Sequence, residues 1–379
     1  MPESVPFIDL KRHEPGFVES VSEKFSHMLK NTQFVGGQEV ASLEEKLSNY
    51  VGVDHTVSCA NGTDALQLSL RAVGIGAGDV VLVPNMTFWA TFEAAVNVGA
   101  TPVTVDSDIS DGGISYHDLE SALKTIRPKA AIIAHLYGWG SACLDDIRAI
   151  CKREGVVLVE DGAQCFGTRF NSAPIYAGAT ISTTSFYPAK VLGAAGDAGA
   201  VFTNDANLAE KVRQLTNHGR TTHYGHGAIG WNSRMDALQA AYLNHSMEFI
   251  DARIESRRKS AAFYQQHVTA LSPKIGLEIM QAPSGYDENG YCNVCFVRDP
   301  AQKQTIEANL RSNNIGFANI YPGVMSQQPG AKDHLLKHIG GDGAESICAS
   351  VLNLPLFPYM TEAELMRVMD VLASTQEKV

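Results

Sequence analysis

The apolar positions of the chain follow two different rhythms. Between about residues 50 and 220, short apolar runs alternate with segments whose apolar residues recur three and four positions apart. VVLVP (80–84), TPVTVD (101–106), AAIIAHL (130–136) and VVLVED (156–161) read as strands. WATFEAAVNVG, HDLESALKTI and LDDIRAICKREG lie between them with the spacing of one helix face. Several of the strands are apolar at consecutive positions, as strands are when helices cover both faces of a sheet. ATISTTSF and AGAVFTND come next and extend the sheet. This alternation predicts an α/β fold with a mostly parallel, doubly wound sheet.

After residue 230 the texture changes. Ser233 to about His267 has helical composition without proline or glycine. Strand-like YCNVCFVR follows, then helical QKQTIEANLRSNN, a turn region with glycine and proline, and a terminal helix near TEAELMRVMDVLA. The expectation is an N-terminal arm over 1–25, a large α/β domain over 26–245 and a smaller α+β domain over 246–379, joined by the arm. No internal repeat or low-complexity tract interrupts this plan.

Composition narrows the function classes. With 379 residues, domains of roughly 150 residues give two or three of them. Hydrophobic residues make up 45% and charged residues 19%, which excludes a disordered, charge-driven chain. Asp plus Glu number 41 against 30 Lys plus Arg, a net charge of −11 with no basic run. A phosphate backbone is therefore not an expected partner. MPESVPFIDL lacks the basic and long apolar regions of a signal peptide, and no run approaches the roughly 18 apolar residues of a membrane span. Seven scattered cysteines fit reduced thiols, and hence a cytoplasmic chain, better than a disulfide framework. Cys292 and Cys295 lack a second pair or a histidine to complete a zinc set, and read as packing residues on opposite faces of a strand. HGRTTHYGHG, with His218, His223 and His226, reads as a loop with no metal.

Three segments carry candidate chemistry. In CANGTDALQLSLRAVG, Asn61 is a good N-cap, which leaves Gly62 and Thr63 in a first helical turn with N–H groups open to an anion. GIGAGD (74–79) follows a helix and precedes a strand, the wrong context for a dinucleotide turn. VVLVED ends on Asp161 at the carboxyl end of a strand, where open α/β sheets bind ligands, and Gln164 follows three residues later. Asp161 there suits a metal ligand, a general base, the partner of a cationic ring or a cap of the next turn. In TSFYPAKVLGAAGDAGAVFTND, Lys190 lies among small and apolar neighbours that would make its amine nucleophilic, unless it snorkels to solvent. Glycines 193, 196 and 199 would let the backbone approach a ligand. Ser233 to Asp236 reads as a capping box opening the long helix.

An anion site, a strand-end carboxylate and a sheltered lysine are the three parts that pyridoxal phosphate requires. The sequence resembles the DegT/StrS family of nucleotide-sugar aminotransferases, within the fold type I, aspartate-aminotransferase-like enzymes that use this cofactor. The resemblance runs through FIDL (7–10), GGQEV (36–40), NGTDAL (61–66), PNMTFWAT (84–91), VEDGAQ (159–164), SFYPAKVLG (185–193), GDAGAVFTND (196–205), NHG (217–219), GWNSRMDALQAA (230–241) and NLPLFPYM (353–360). It implies a seven-stranded type of sheet and Lys190 as the Schiff-base lysine and proton shuttle. It also implies Asp161 at the pyridinium nitrogen, Gln164 at the ring hydroxyl, and Gly62, Thr63 and Ser185 at the phosphate. Phe88, or its neighbour Trp89, would stack on the ring. Asn232 would reach the phosphate across a homodimer interface.

The resemblance further implies a nucleotide-linked keto-sugar as acceptor and L-glutamate, leaving as 2-oxoglutarate, as donor. Related sugar dehydratases carry histidine where this chain keeps Lys190. SCANGTDALQ, TSFYP and GWNSRMDALQAA are most similar to enzymes that aminate C3 of UDP-2-acetamido-2-deoxy-3-oxo-glucuronate, for a surface polysaccharide such as lipopolysaccharide O-antigen. Arg234 would then pair with the uronate carboxylate, with a plain salt bridge as the alternative, and Tyr187 and Tyr321 would line the sugar pocket. Relatives place histidine before Tyr-Pro, whereas this chain has Asn319-Ile320-Tyr321-Pro322. A dTDP-3-keto-6-deoxyhexose or a 4-keto sugar therefore stays open as substrate. A non-catalytic regulator or a lyase that binds the cofactor stays open as function.

Overall fold

The computed structural model describes residues 4–375; the first three residues of the expected arm and the last four of the expected C-terminal domain lie outside them. Two helices, α1 (Phe17–Lys30) and α2 (Gln38–Val51), precede the sheet. Its first five strands are β1 (His55–Cys59), β2 (Val80–Pro84), β3 (Thr101–Val105), β4 (Ala130–Ala134) and β5 (Val157–Asp161). A small hairpin of β6 (Arg169–Phe170) and β7 (Ala173–Pro174) intervenes before β8 (Ile181–Ser185) and β9 (Gly199–Thr203). The six strands expected from the apolar runs are all present. Five further helices lie between or after the strands: α3 (Gly62–Ala72), α4 (Trp89–Asn97), α5 (Tyr116–Ile126), α6 (Leu144–Arg153) and α7 (Ala206–Thr216).

The sheet order is β1-β9-β8-β5-β4-β2-β3, with an eighth strand beside β3. That strand, His338–Ile339, arrives from far along the chain and extends the seven-stranded expectation at its edge. Pairing is parallel from β8 across to this edge, whereas β9 runs antiparallel to both β8 and β1. Both faces are covered. Leu82, Val103, Ile133 and Leu158 are buried in one cluster with Leu43 of α2 and Ile147 of α6. Val81, Val83, Ile132 and Val159 are buried in another with Leu66 of α3 and Phe92 of α4. Neighbouring strand residues thus bury on opposite sides, each large side chain contributing roughly 1.5–3 kcal/mol, which explains the continuous apolar runs.

The long helical stretch is two helices, α8 (Ala237–Ser246) and α9 (Ile250–Ile275), separated by a 3₁₀ turn at Met247–Phe249. The expected capping box is absent. Asp236 holds the N-cap of α8 without a side-chain bond, and the Ser233 hydroxyl accepts from the Ala60 N–H at 3.3 Å instead. Past α9, β10 (Leu277–Ile279), β12 (Cys295–Val297) and β14 (Val351–Leu352) form a separate antiparallel sheet. β11 (Tyr286–Asp287) pairs with β6, and β13 is the edge strand His338–Ile339. Helices α10 (Pro300–Ser312), α11 (Gly343–Ser350) and α12 (Glu362–Ser374) complete the chain. A true capping box opens α12, formed by Thr361 and Glu364.

Residues before α1 belong with this last part. Val5 N–H donates to Asn314 O at 3.1 Å, Gly316 N–H returns a bond to Val5 O at 2.7 Å, and Val5 is buried with Tyr264 and Leu310. All seven cysteines are free; Cys292 and Cys295 are buried in separate clusters, as packing residues would be, but only Cys295 lies in a strand, since β12 starts there. Among the described residues no helix is long and apolar enough to cross a membrane.

Candidate active site

Ala134, Asp161 and Ser185 are the last residues of β4, β5 and β8, and all three line one cavity of about 790 Å³. It lies at the carboxyl edge of the parallel strands, where helix N-termini also converge.

Its floor is an anion cradle. Asn61 caps α3, its Oδ1 accepting from the Asp64 N–H at 2.8 Å. Gly62 and Thr63, in the half-buried first turn, line the cavity together with Ser185. A Cβ at Gly62 would sit 2.7 Å from the Ser185 Cβ, and one at Gly199 would meet the Asn61 carbonyl at 2.5 Å. Only glycine lets these segments close on each other. Ser185 Oγ accepts from the Tyr187 N–H at 3.2 Å, which leaves its own proton to donate. The glycine-rich run after Lys190 therefore approaches its own chain rather than a ligand, Gly193 closing against the Pro188 carbonyl.

The polar wall is organised around Asp161, 8% exposed. Its Oδ2 accepts from Thr91 Oγ1 at 2.9 Å and its Oδ1 from the Ala163 N–H at 3.1 Å. Thr91 in turn shares a 2.8 Å bond with Thr87. Among the described residues no cation pairs with this buried carboxylate, so the wall offers a negative charge to a cation entering the cavity. Gln164 Oε1 accepts from the Tyr137 N–H at 2.6 Å, and its Nε2 donates to Tyr321 Oη at 2.8 Å. The second Nε2 hydrogen has no partner in that pair of bonds. Burial pushes the Tyr321 phenol well above its usual range, so it stays neutral.

Phe88 and Tyr187 stand exposed at the cavity, at 59% and 55%. Phe88 is the N-cap of α4, with its ring 6.3 Å from that of Tyr321. Trp89 instead packs on Phe92 at 5.1 Å, which places Phe88 and not its neighbour on the cavity. Lys190 ends a tight turn in which its N–H donates to Tyr187 O at 2.8 Å. Its Nζ lies 3.4 Å from Tyr291 Oη, and no carboxylate among the described residues forms an ion pair with it.

Asn232 and Arg234 do not line this cavity. Both are exposed, and Arg234 donates to the amide oxygens of Asn217, at 2.9 Å, and of Asn232. Among the described residues Arg234 forms no salt bridge. The adjoining loop is closed by the bridges Asn217–Asn232 and Arg220–His226, with Tyr224 and Ile229 at 88% and 84% exposure. Among the described residues no group of three metal-ligating side chains comes together. Sequence reasoning missed Thr87, Thr91 and Tyr291. Thr87 and Thr91 had a signal, two hydroxyls four residues apart in PNMTFWAT; Tyr291, in what read as strand, had none.

The residues fit pyridoxal phosphate: an open helix start with a free hydroxyl for the phosphate, an unpaired buried carboxylate for the ring nitrogen, and a lysine amine in the same cavity.

Comparison with known proteins accords with that fit. The model of the DegT/DnrJ/EryC1/StrS aminotransferase family matches residues 17–373. The UDP-2-acetamido-2-deoxy-3-oxo-D-glucuronate aminotransferase of Pseudomonas aeruginosa is 36% identical over 361 residues, covering 95% of this chain and 97% of its own. The UDP-N-acetyl-3-dehydro-alpha-D-glucosamine 3-aminotransferase of Acidithiobacillus ferrooxidans is 36% identical over 375 residues, covering 98% of each. The crystal structure of S. venezuelae DesV in complex with a ketimine intermediate matches with a TM-score of 0.92 and 32% identity, over 100% of both chains.

Proposed function

The chain belongs to the DegT/DnrJ/EryC1/StrS aminotransferase family, and on that premise we propose that it moves an amino group from L-glutamate to C3 of a UDP-linked 2-acetamido-3-keto sugar. It is a nucleotide-sugar aminotransferase that depends on pyridoxal 5'-phosphate. The observation that carries the finer reading is chemical. The Pseudomonas and Acidithiobacillus relatives are named for different sugars, yet both names describe a UDP carrier, a nitrogen at C2 and a ketone at C3. They part at C6, a carboxylate in one and a hydroxymethyl group in the other.

When bound, the cofactor supplies an electron sink beside the reacting carbon. The chain's residues do the rest. The Gly62 and Thr63 N–H groups and the Ser185 hydroxyl hold the phosphate, where the partial positive charge of the α3 terminus favours it. Asp161, fixed by Thr91, keeps a proton on the ring nitrogen. Gln164 Nε2 donates to the ring oxygen, and Phe88 covers the ring face. Lys190 Nζ would hold the cofactor, and its free amine would take the proton from Cα of the donor. In the reverse direction it delivers a proton to C3 of the sugar. Tyr187 and Tyr321 flank the space left for substrate.

Asn232 and Arg234 act in the cavity of a second copy, in a homodimer with shared sites. The exposed Tyr224 and Ile229 on the adjoining loop favour that reading, because large apolar side chains so exposed gain by burial against a partner. The product is suited to a surface polysaccharide precursor.

A panel of 3-keto and 4-keto sugars on UDP and dTDP, varied at C6, tests the substrate. Turnover of UDP-linked 3-keto, 2-acetamido sugars above all others is expected, and preference for a dTDP or 4-keto sugar overturns the proposal. If the C6 carboxylate is read by Arg234, Arg234→Lys lowers turnover of the uronate far more than of the C6-hydroxymethyl sugar. Equal losses remove Arg234 from that role.

A further inference from the structure

The lysine amine of the cavity has a partner outside the segments that carry the family resemblance. Tyr291 Oη lies 3.4 Å from Lys190 Nζ, and Nζ stands 5.1 Å from the centre of the Tyr291 ring, so oxygen and ring face both attract the ammonium. Tyr291 lines the cavity with Lys190, yet it comes from a stretch some hundred residues further along the chain.

Its position is over-determined by buried bonds. The Tyr291 N–H donates to Asn289 Oδ1 at 2.9 Å. Asn289, fully buried, donates through Nδ2 to the carbonyls of Gln164 and Phe166, both at 2.9 Å. The tyrosine backbone is thereby tied to the turn that carries Gln164. From the other side, Arg257 Nη1 of α9 donates to Gly290 O at 3.2 Å. Gly290 has φ +67°, and a Cβ there would fall 2.5 Å from the Arg257 Cβ, so only glycine lets this strand of chain seat against α9. A phenol held this firmly, beside an amine that forms no ion pair among the described residues, is built to fix where that amine points.

We propose that Tyr291 is a positioning residue for Lys190: its hydroxyl accepts from the free amine and holds it in the cavity while the lysine is off the cofactor. This rests on the reading of Lys190 as the lysine that carries the cofactor and moves the proton. Without the hydroxyl the amine would swing on its four-carbon stem, and proton transfer would wait for it to return.

Tyr291→Phe removes the oxygen and keeps the ring, and its melting curve should overlay the parent's. The first readout uses the cofactor-free chain. Acetic anhydride labels lysines, and mass spectrometry compares Lys190 with the exposed Lys211 as internal standard. Loss of the hydrogen bond that holds the amine should raise Lys190 labelling about fivefold or more, with Lys211 unchanged. The second readout is the glutamate half-reaction of the holoenzyme. There kcat should fall about fivefold or more, the isotope effect with α-deuterated glutamate should grow, and KM should hold. Unchanged labelling and an unchanged isotope effect overturn the proposal, as does a loss confined to KM. Lys190→Ala separates the two readings. If borohydride still traps the cofactor covalently on this variant, the assignment of Lys190 fails. If trapping is lost but Tyr291→Phe behaves as the parent, the Tyr291 inference alone fails.

Discussion

Thr91 shows how much of the site's chemistry depends on a hydroxyl one step from the reacting centre. Its Oγ1 donates to Asp161 Oδ2, so Thr91→Val, which keeps the shape, frees one lone pair of a nearly buried carboxylate. The expected result is a loss of about fivefold in kcat with the fold intact, read from steady-state rates and melting curves. Unchanged kinetics would mean that the Ala163 N–H alone orients the carboxylate. That Asp161, Gln164, Lys190 and the Gly62–Thr63 turn lie at one cavity was legible in part: a strand end marks Asp161 and Gln164, a helix cap marks the turn, and small apolar neighbours mark Lys190. Thr91 and Tyr291 were not, since their importance comes only from what the fold sets beside them. Arg234 is the reverse case: its residue type suggested a carboxylate partner, and within the chain it meets two amide oxygens instead.

Elements show the same division. Five apolar strands and the helices between them were legible because both faces of the sheet bury side chains; β8, with Ser182, Thr183, Thr184 and Ser185, was read from its place in the alternation. β1, with polar His55, Thr56 and Ser58, carries no apolar run and takes its place by pairing with β9. β13 is two residues long and is defined only by its neighbour β3. The arm before α1 is held by chemistry that its sequence did not announce. Glu14 forms a double hydrogen bond with Arg253 of α9, at 2.9 and 2.7 Å, and accepts from Tyr359 Oη at 2.7 Å. Burial alone would raise the Glu14 carboxyl, but the Arg253 guanidinium and the Tyr359 hydroxyl outweigh it and hold it at about 2, against 4.5 for a free side chain.

A carboxyl depressed on folding stabilises fully above its unfolded value and loses that contribution as pH falls through the folded one. The arm should therefore loosen between about pH 4.5 and pH 2. Glu14→Gln should cost about 3 kcal/mol at neutral pH, because it leaves Arg253 nearly buried without its anion. The variant's melting temperature should also be flatter than the parent's across that acid range. A parent profile that is already flat there would contradict the assignment.

At the scale of the whole molecule, the cavity of one chain holds the lysine and the anion cradle while Asn232 and Arg234 point elsewhere. The proposed homodimer with shared sites would reconcile these facts, and mixing tests it. Lys190→Ala and Asn232→Ala, each expected to be strongly impaired alone, should regain activity when unfolded and refolded together. Random pairing makes half the dimers hybrid, each with one intact site of two, so about a quarter of parental activity is expected. No recovery would place Asn232 outside the site.

The most direct test of the central claim is the absorption spectrum of the chain loaded with pyridoxal phosphate, recorded before and after excess L-glutamate. The account predicts a visible band that depends on Lys190, glutamate moving it to shorter wavelength, and a UDP-linked 3-keto sugar restoring it. A band that glutamate leaves unchanged would contradict the donor assignment, and the same band in Lys190→Ala would contradict the site itself.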